Sequence, residues 1–137
     1  ILKENTRLSN LSGLENNRNS LKCLKIIRTA KIDSFLVIGE ILSLEFLYID
    51  TCGEVSSISF ISNLKNLRGA VFAQTNILDG NLTPLMNLDY GVAIPIKQHY
   101  YSIHNGVKSQ IKLDQYASGK IEHGNINIDL WRRIDTW

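Results

Sequence analysis

The sequence has little of what commonly cross-links a small protein or ligates a metal. Its 137 residues include two cysteines, Cys23 and Cys52, and two prolines. Two cysteines cannot build a disulfide-rich scaffold, and no C-x-x-C pair or His/Cys cluster has the spacing of zinc ligands. We therefore expect two free thiols, and neither a metal nor another cofactor.

Charge of one sign and long apolar runs are also scarce. Fifteen Lys and Arg against 13 Asp and Glu leave a formal net charge of +2, without a basic block along the chain. This excludes the clustered positive charge of a typical nucleic-acid-binding surface. The longest apolar runs, such as residues 35–38, are too short to span a bilayer, so we expect no membrane span.

The chain does contain a unit that begins at Leu21 and repeats every 23 residues. Apolar side chains at the first, fourth and sixth positions are followed three residues later by a small polar residue. The three copies are Leu21/Leu24/Ile26/Thr29, Leu44/Leu47/Ile49/Cys52 and Leu67/Ala70/Phe72/Thr75. A fixed period in the twenties is typical of proteins built from stacked repeats.

Weaker units flank these three copies. The same step taken backwards from Thr29 leads to Thr6, and a fourth unit begins at Leu88, two positions earlier than the period gives. Pro95 lacks a backbone donor and so suits the last strand of a sheet. We expect residues 1–95 to hold one partial, three clear and one weak repeat, and residues 96–137 to form a C-terminal capping segment.

Within each unit the spacing predicts a strand followed by a short helix. Successive side chains of a strand point to opposite faces, so Leu24 and Ile26, for example, share the buried face. Residues 51–53 are expected to turn. Helices are predicted after the caps Asp33 or Ser34, Ser56 or Ser57, and Thr83. In the capping segment we expect short strands at 111–113 and 126–128 and a hairpin turn at 118–119.

The repeated pattern L-x-x-L-x-L-x-x-(N/C/T) resembles the leucine-rich repeat, and its short period is similar to the bacterial class that includes internalins. The segment Leu82-Thr83-Pro84-Leu85-Met86-Asn87-Leu88 also resembles the linker of such repeats. The resemblance implies an α/β fold: a leucine-rich-repeat solenoid with a parallel β-sheet on the concave face, short helices on the convex face and a C-terminal cap. Proteins of this family mostly bind other proteins through the concave face.

The residues that alternate with the buried ones form three outward columns if the strands stack in register. The columns are Cys23, Phe46, Gly69 and Tyr90; Lys25, Tyr48, Val71 and Val92; and Ile27, Asp50, Ala73 and Ile94. Phe46, Tyr48, Val71, Tyr90 and Val92 would form one apolar patch, with Lys25 and Asp50 among its charged rim. Such patches commonly mark interfaces, and aromatic side chains are favoured anchors in them. The alternatives are that the capping segment folds over this face or that the patch is inert.

No catalytic arrangement competes with this interpretation. Glu40, Glu45, Asp50 and Glu54 would be spread over different faces, and no G-x-S-x-G elbow or phosphate-binding loop is present. His99, His104 and His123 match no zinc-binding spacing, and we expect them to pack or hydrogen-bond inside the cap. The chain is therefore not predicted to be an enzyme.

The expected function is a protein–protein interaction module whose partner protein binds at the concave face. One alternative is a bacterial immunity or antitoxin-like protein that occludes a toxin, and another is the terminal cap of a longer surface adhesin. The two free thiols favour a reducing compartment, and so the cytoplasm. The first residues resemble the end of a repeat, so an upstream export signal would instead place the protein at the cell surface.

Overall fold

The fold is built on one open, parallel sheet. The structure, a computed structural model, describes residues 2–3, 11, 13–29, 32, 34–111, 120–121 and 124–125, with the backbone alone at 2–3, 17, 120–121 and 124–125. The sheet order is β1-β2-β3-β4-β5, and its two edges do not pair with each other to close a barrel. Its strands are β1 (Leu2–Lys3), β2 (Cys23–Ile27), β3 (Phe46–Val55), β4 (Gly69–Ile77) and β5 (Tyr90–Ile94).

Short helices connect the strands. Among the described residues, three are 3-10 helices, η1 (Leu14–Asn17), η2 (Leu36–Glu40) and η3 (Ser59–Asn63), and the fourth is α-helical, α1 (Thr83–Met86). Each is only about one turn long, which suits the tight geometry that 3-10 turns adopt in short pieces. None of the helices in the described ranges has the length and apolar content needed to cross a membrane.

The period of the sequence determines the strand register. Leu24 lies opposite Leu47, which lies opposite Ala70, and the same holds for Ile26, Ile49 and Phe72. In the fourth unit, Ala70 faces Gly91 and Phe72 faces Ala93. These pairings confirm the predicted inward positions. At the other edge Leu2, rather than the Lys3 that an unbroken period would give, pairs with Ile26. Thr6 lies outside the described residues.

The hydrophobic core lies between the sheet and the helices. The sheet contributes the inward side chains, and the helices and their flanking turns contribute a facing apolar layer. Fully buried members include Ile26, Leu47, Ile49, Phe72, Ile38, Ile41, Ile58, Leu82 and Leu85. Full burial of each such side chain stabilises the fold by about 1.5–3 kcal/mol relative to exposure.

Ser34 and Ser57 bond to the helices that they were predicted to cap, but Phe35 and Ile58 hold the cap positions, so both predictions are wrong by one residue. The Ser34 hydroxyl oxygen accepts the backbone N–H of Leu36 at 3.2 Å, and the Ser57 hydroxyl oxygen accepts that of Ser59 at 3.1 Å. Each bond satisfies a donor at the first helical turn that the helix itself leaves without a partner. Asp33, the alternative to Ser34, lies outside the described residues.

The prediction that Thr83 caps the fourth helix, α1, is wrong by one residue, since Leu82 holds the cap position. Thr83 is itself the first residue of α1, and its backbone N–H is accepted by the Asn81 side-chain oxygen at 3.0 Å. The Thr83 hydroxyl oxygen instead accepts the backbone N–H of Ile103 at 2.8 Å. It therefore ties the helix to the segment that follows the sheet.

A left-handed residue ends the regular part of three strands. Arg28, Thr51 and Gln74, which occupy the same position of successive units, have φ of 53°, 56° and 48°. The sequence predicted a turn at 51–53, but β3 continues through a bulge, and pairing resumes with Gly53 opposite Thr75. In the fourth unit the corresponding residue is Pro95, whose ring fixes φ at about −65° and excludes this conformation.

Two antiparallel strand pairs follow the sheet in the part of the chain that the structure describes. Strands β6 (Tyr101–His104) and β7 (Val107–Gln110) are joined by Asn105-Gly106, both with positive φ, as a type I′ turn requires. Strands β8 (Lys120–Ile121) and β9 (Gly124–Asn125) form a second, smaller pair. Most of the predicted strands at 111–113 and 126–128, and the predicted turn at 118–119, lie outside the described residues.

Candidate interaction face

The sheet face turned away from the helices, here called the outer face, carries the three predicted columns. In the observed register Phe46 pairs with Cys23 and Gly69, and Gly69 with Tyr90. The second column runs through Lys25, Tyr48, Val71 and Val92, and the third through Ile27, Asp50, Ala73 and Ile94. The predicted columns are therefore confirmed, while the role of the seven candidate residues in binding stays a prediction.

Exposure divides the seven residues into two groups. Phe46, Tyr48, Asp50 and Tyr90 are partly exposed. Lys25, Val71 and Val92 are buried, with only 5%, 3% and 2% of their surfaces exposed. Much of the middle column is thus withdrawn from solvent, and the accessible part of the expected patch is smaller than the sequence indicated.

Asp50 is held in place by its neighbours on the outer face. The Tyr48 hydroxyl donates to one carboxylate oxygen at 3.1 Å, and the Thr51 hydroxyl donates to the other at 2.8 Å. Two such bonds restrict the carboxylate to one orientation while leaving lone pairs free to accept further donors. The face therefore presents a fixed anionic acceptor next to an aromatic ring.

Phe46 lies across the neighbouring strand because Gly69 has no side chain. A Cβ built on Gly69 would stand 3.0 Å from Cδ1 of Phe46, which is closer than ordinary carbon contacts. The guanidinium carbon of Arg68 lies 5.9 Å from the centre of the same ring, within the range of a cation–π interaction. The ring thus has a defined position at the strand starts.

A ladder of buried hydroxyl and thiol groups fixes the other ends of the strands. The Thr75 hydroxyl donates to the carbonyl of Ala73 at 2.9 Å and accepts the backbone N–H of Cys52 at 3.1 Å. The Cys52 sulfur lies 3.4 Å from the carbonyl oxygen of Ile26. Small hydrogen-bonding residues recur here because the left-handed residue before each of them interrupts the regular backbone ladder.

Tyr100 completes this ladder from outside the repeating units. Its hydroxyl accepts the backbone N–H of Ile77 at 3.1 Å and lies 3.4 Å from the carbonyl oxygen of Thr75. Burial raises the pKa of Tyr100, although the hydrogen bond from Ile77 acts in the opposite direction. Nε2 of His99 lies 2.8 Å from the carbonyl oxygen of Ile77. The segment after β5 is thus attached to β4 by these two side chains.

A row of alternating charges at the strand starts was missed in the sequence. Lys22 pairs with Glu45 at 3.7 Å, and Arg68 pairs with Asp89 at 3.4 Å. These four residues precede the first column by one position, so the alternation of sign at the repeat spacing was a signal available in the sequence. Exposed pairs of this kind contribute at most about 1 kcal/mol each, and mainly favour one stacking order.

Neither cysteine is an activated nucleophile. Both are free thiols. Burial raises the pKa of Cys52 and of Cys23, and nearby Lys25 opposes the effect at Cys23 only in part. A raised pKa reduces the thiolate fraction, which is the reactive form, at neutral pH.

The other candidate chemical groups do not converge. Glu45 is paired with Lys22, Asp50 is bonded to its neighbours, and Glu54 borders an open cavity of about 260 Å³ that Phe35 and Phe60 also line. The residues that the structure describes contain no group of three or more His, Cys, Asp or Glu side chains able to hold a metal ion. His123 lies outside the described residues.

Comparison with known proteins adds no assignment. The chain matches no protein-family model, no curated protein and no solved structure.

Proposed function

We propose that the chain forms a leucine-rich-repeat solenoid that binds a partner protein through the outer face of its sheet. The repeat assignment is supported by the parallel register at the period of the sequence and by the recurring left-handed residue. The hydrogen-bonded ladder of Thr29, Cys52 and Thr75 provides further support.

One observation carries the functional part: the outer face presents partly exposed aromatic side chains in fixed positions. Phe46, Tyr48 and Tyr90 lie in adjacent columns, and hydrogen bonds from Tyr48 and Thr51 orient Asp50. Aromatic residues are frequent anchors of protein interfaces. Side chains fixed before contact lose little conformational entropy on binding, so more of the contact energy is available as affinity. We also propose that this part of the chain is not catalytic, since its ionisable groups are paired or dispersed.

The test is a quantitative capture experiment followed by affinity measurement. Proteins retained by the immobilised full chain are compared with those retained by Phe46→Ala and by Tyr48→Phe, which keeps the ring but loses the bond to Asp50. The control is Leu36→Ala, because Leu36 is 67% exposed and belongs to η2, on the helical side of the fold.

We expect a retained partner whose affinity falls by about tenfold or more in Phe46→Ala, as for an interface anchor. Tyr48→Phe should weaken it less, and Leu36→Ala should leave it unchanged. A partner that binds all three variants as tightly as the parent chain would refute the outer face as its binding site.

A further inference from the structure

Val71 and Val92 are buried although they lie on the outer face of the sheet. Both belong to the middle column of the outer face, yet only 3% and 2% of their surfaces are exposed. The residues two positions away from Val71 on the same strand and face are Gly69 and Ala73, which are too small to cover it. Side chains of a strand stand roughly perpendicular to the sheet, so the side chains of adjacent residues lie beside a valine rather than above it. Besides the Phe46 ring that lies across Gly69, cover from a further segment of the chain would account for this burial.

The strand that approaches them is β9. Its Cα atoms come within 8 Å of those of β5, the strand that carries Val92. It does not extend the main sheet, because among the described strands β9 pairs with β8 alone, in a separate two-stranded sheet.

The inner face of β5 is already occupied. A Cβ built on Gly91 would stand 2.5 Å from the carbonyl oxygen of Leu85 in α1, so no further backbone fits between these two elements. The helix α1 fills the inner face of β5, and β9 does not hydrogen-bond to the free edge of β5. We therefore infer that β9 approaches β5 from the outer face.

We propose that the β8–β9 hairpin lies over the outer face as an intramolecular cover of Val71 and Val92. Partner binding to the whole face then requires the hairpin to move aside. This second step rests on the proposed function, whereas the cover itself does not. A partner that bound only the half-exposed residues would leave the hairpin in place.

The cover is tested without any partner, by measuring the reactivity of single thiols. In a Cys23→Ser background, Val71→Cys and Val92→Cys are each compared with Ile94→Cys. Ile94 shares β5 and the outer face with Val92 but is 43% exposed. The buried Cys52 stays in every variant, and its alkylation reports global unfolding. The readout is intact mass over time with iodoacetamide.

We expect thiols at positions 71 and 92 to react about tenfold or more slowly than the one at 94. Adding Gly124→Pro, which removes a backbone donor from the hairpin, should abolish that protection while Cys52 stays unreactive. Equal rates at 71, 92 and 94 would overturn the proposal. So would protection that persists in the Gly124→Pro variant, since neighbouring rings of the sheet would then be the cover.

A second measurement avoids destabilising the hairpin. Val92→Cys combined with Asn125→Cys should be cross-linked within one chain by a short bismaleimide, whereas Leu36→Cys with Asn125→Cys should not. Equal cross-linking yields for the two pairs would contradict the proposal. A positive result alongside a failed capture experiment would retain the cover and reject the binding role.

Discussion

At the scale of single residues, the Thr75 side chain both donates and accepts a hydrogen bond at the last position of its repeat pattern. Thr75 satisfies the carbonyl of Ala73 and the backbone N–H of Cys52, and it is almost fully buried. The period of the sequence predicted that a small polar residue belongs here. It did not predict Tyr100, because that hydroxyl arrives from a segment without the period.

Replacing Thr75 with valine should destabilise the fold by about 1–3 kcal/mol, because the buried N–H of Cys52 would lose its acceptor in a side chain of similar size. Thr75→Ser is the control, since it keeps the hydroxyl and loses only a methyl group. The free energy of unfolding in urea measures both variants. Equal stabilities of the valine and serine variants would contradict the hydrogen-bonded role.

The raised pKa of Tyr100 leads us to expect that the free energy of unfolding decreases in alkaline solution. Its pKa is raised above the ordinary value of 10.0, chiefly by burial, so folding favours the neutral hydroxyl. That contribution is complete below the unfolded-state pKa and is lost as pH rises through the folded-state pKa. Between about pH 8 and about pH 11 the parent protein should therefore lose more stability than Tyr100→Phe, measured by urea unfolding at each pH. Parallel pH profiles of the two proteins would argue against it.

At the scale of elements, the sequence predicted strands more accurately than helices. Alternation and period together identify the inward side chains of β2 to β5, because a one-residue slip would expose an entire buried set. Most of the helices are single 3-10 turns, since units of this period leave little length for more. The hairpin β6–β7 was missed although Asn105-Gly106 is a strong local signal for it.

Gly91 determines how closely the last helix packs on the last strand. Gly91→Ala should cost about 1–3 kcal/mol, because the added methyl group would meet the backbone and Cβ of Leu85 at 2.5 and 2.9 Å. Gly39→Ala is a graded comparison, with its nearest contact, the carbonyl oxygen of Phe60, at 3.0 Å. Urea midpoints should fall in the order parent, Gly39→Ala, Gly91→Ala, and the reverse order for the two variants would refute this packing.

At the scale of the whole molecule, burial is unevenly distributed. Strands β3 and β4 have neighbours on both sides and buried side chains along their length, whereas every residue of β7 is exposed. The burial of Val71 and Val92 shows why the candidate face was predicted only in part. Strand spacing determines which residues share a face, but what lies above that face depends on contacts that have no period.

Hydrogen exchange should follow this distribution. Amides of β3 and β4 are expected to exchange only on global opening, and those of β7 through local fluctuations with far lower protection. Mass spectrometry of peptic fragments after timed deuteration provides the comparison. Protection of the 107–110 segment equal to that of 46–50 would show that the hairpin opens only together with the sheet.

Pro95 limits where additional repeat units could be added to the sheet. A copy of one repeat unit inserted before Leu67 would receive a neighbour on each side and a left-handed residue at its end, although one of its neighbours would carry a like charge at the strand start. A unit appended after β5 would have to leave that strand through a proline that cannot make the turn made at Arg28, Thr51 and Gln74. Duplication can therefore lengthen the sheet from within, while β5 stays its last member.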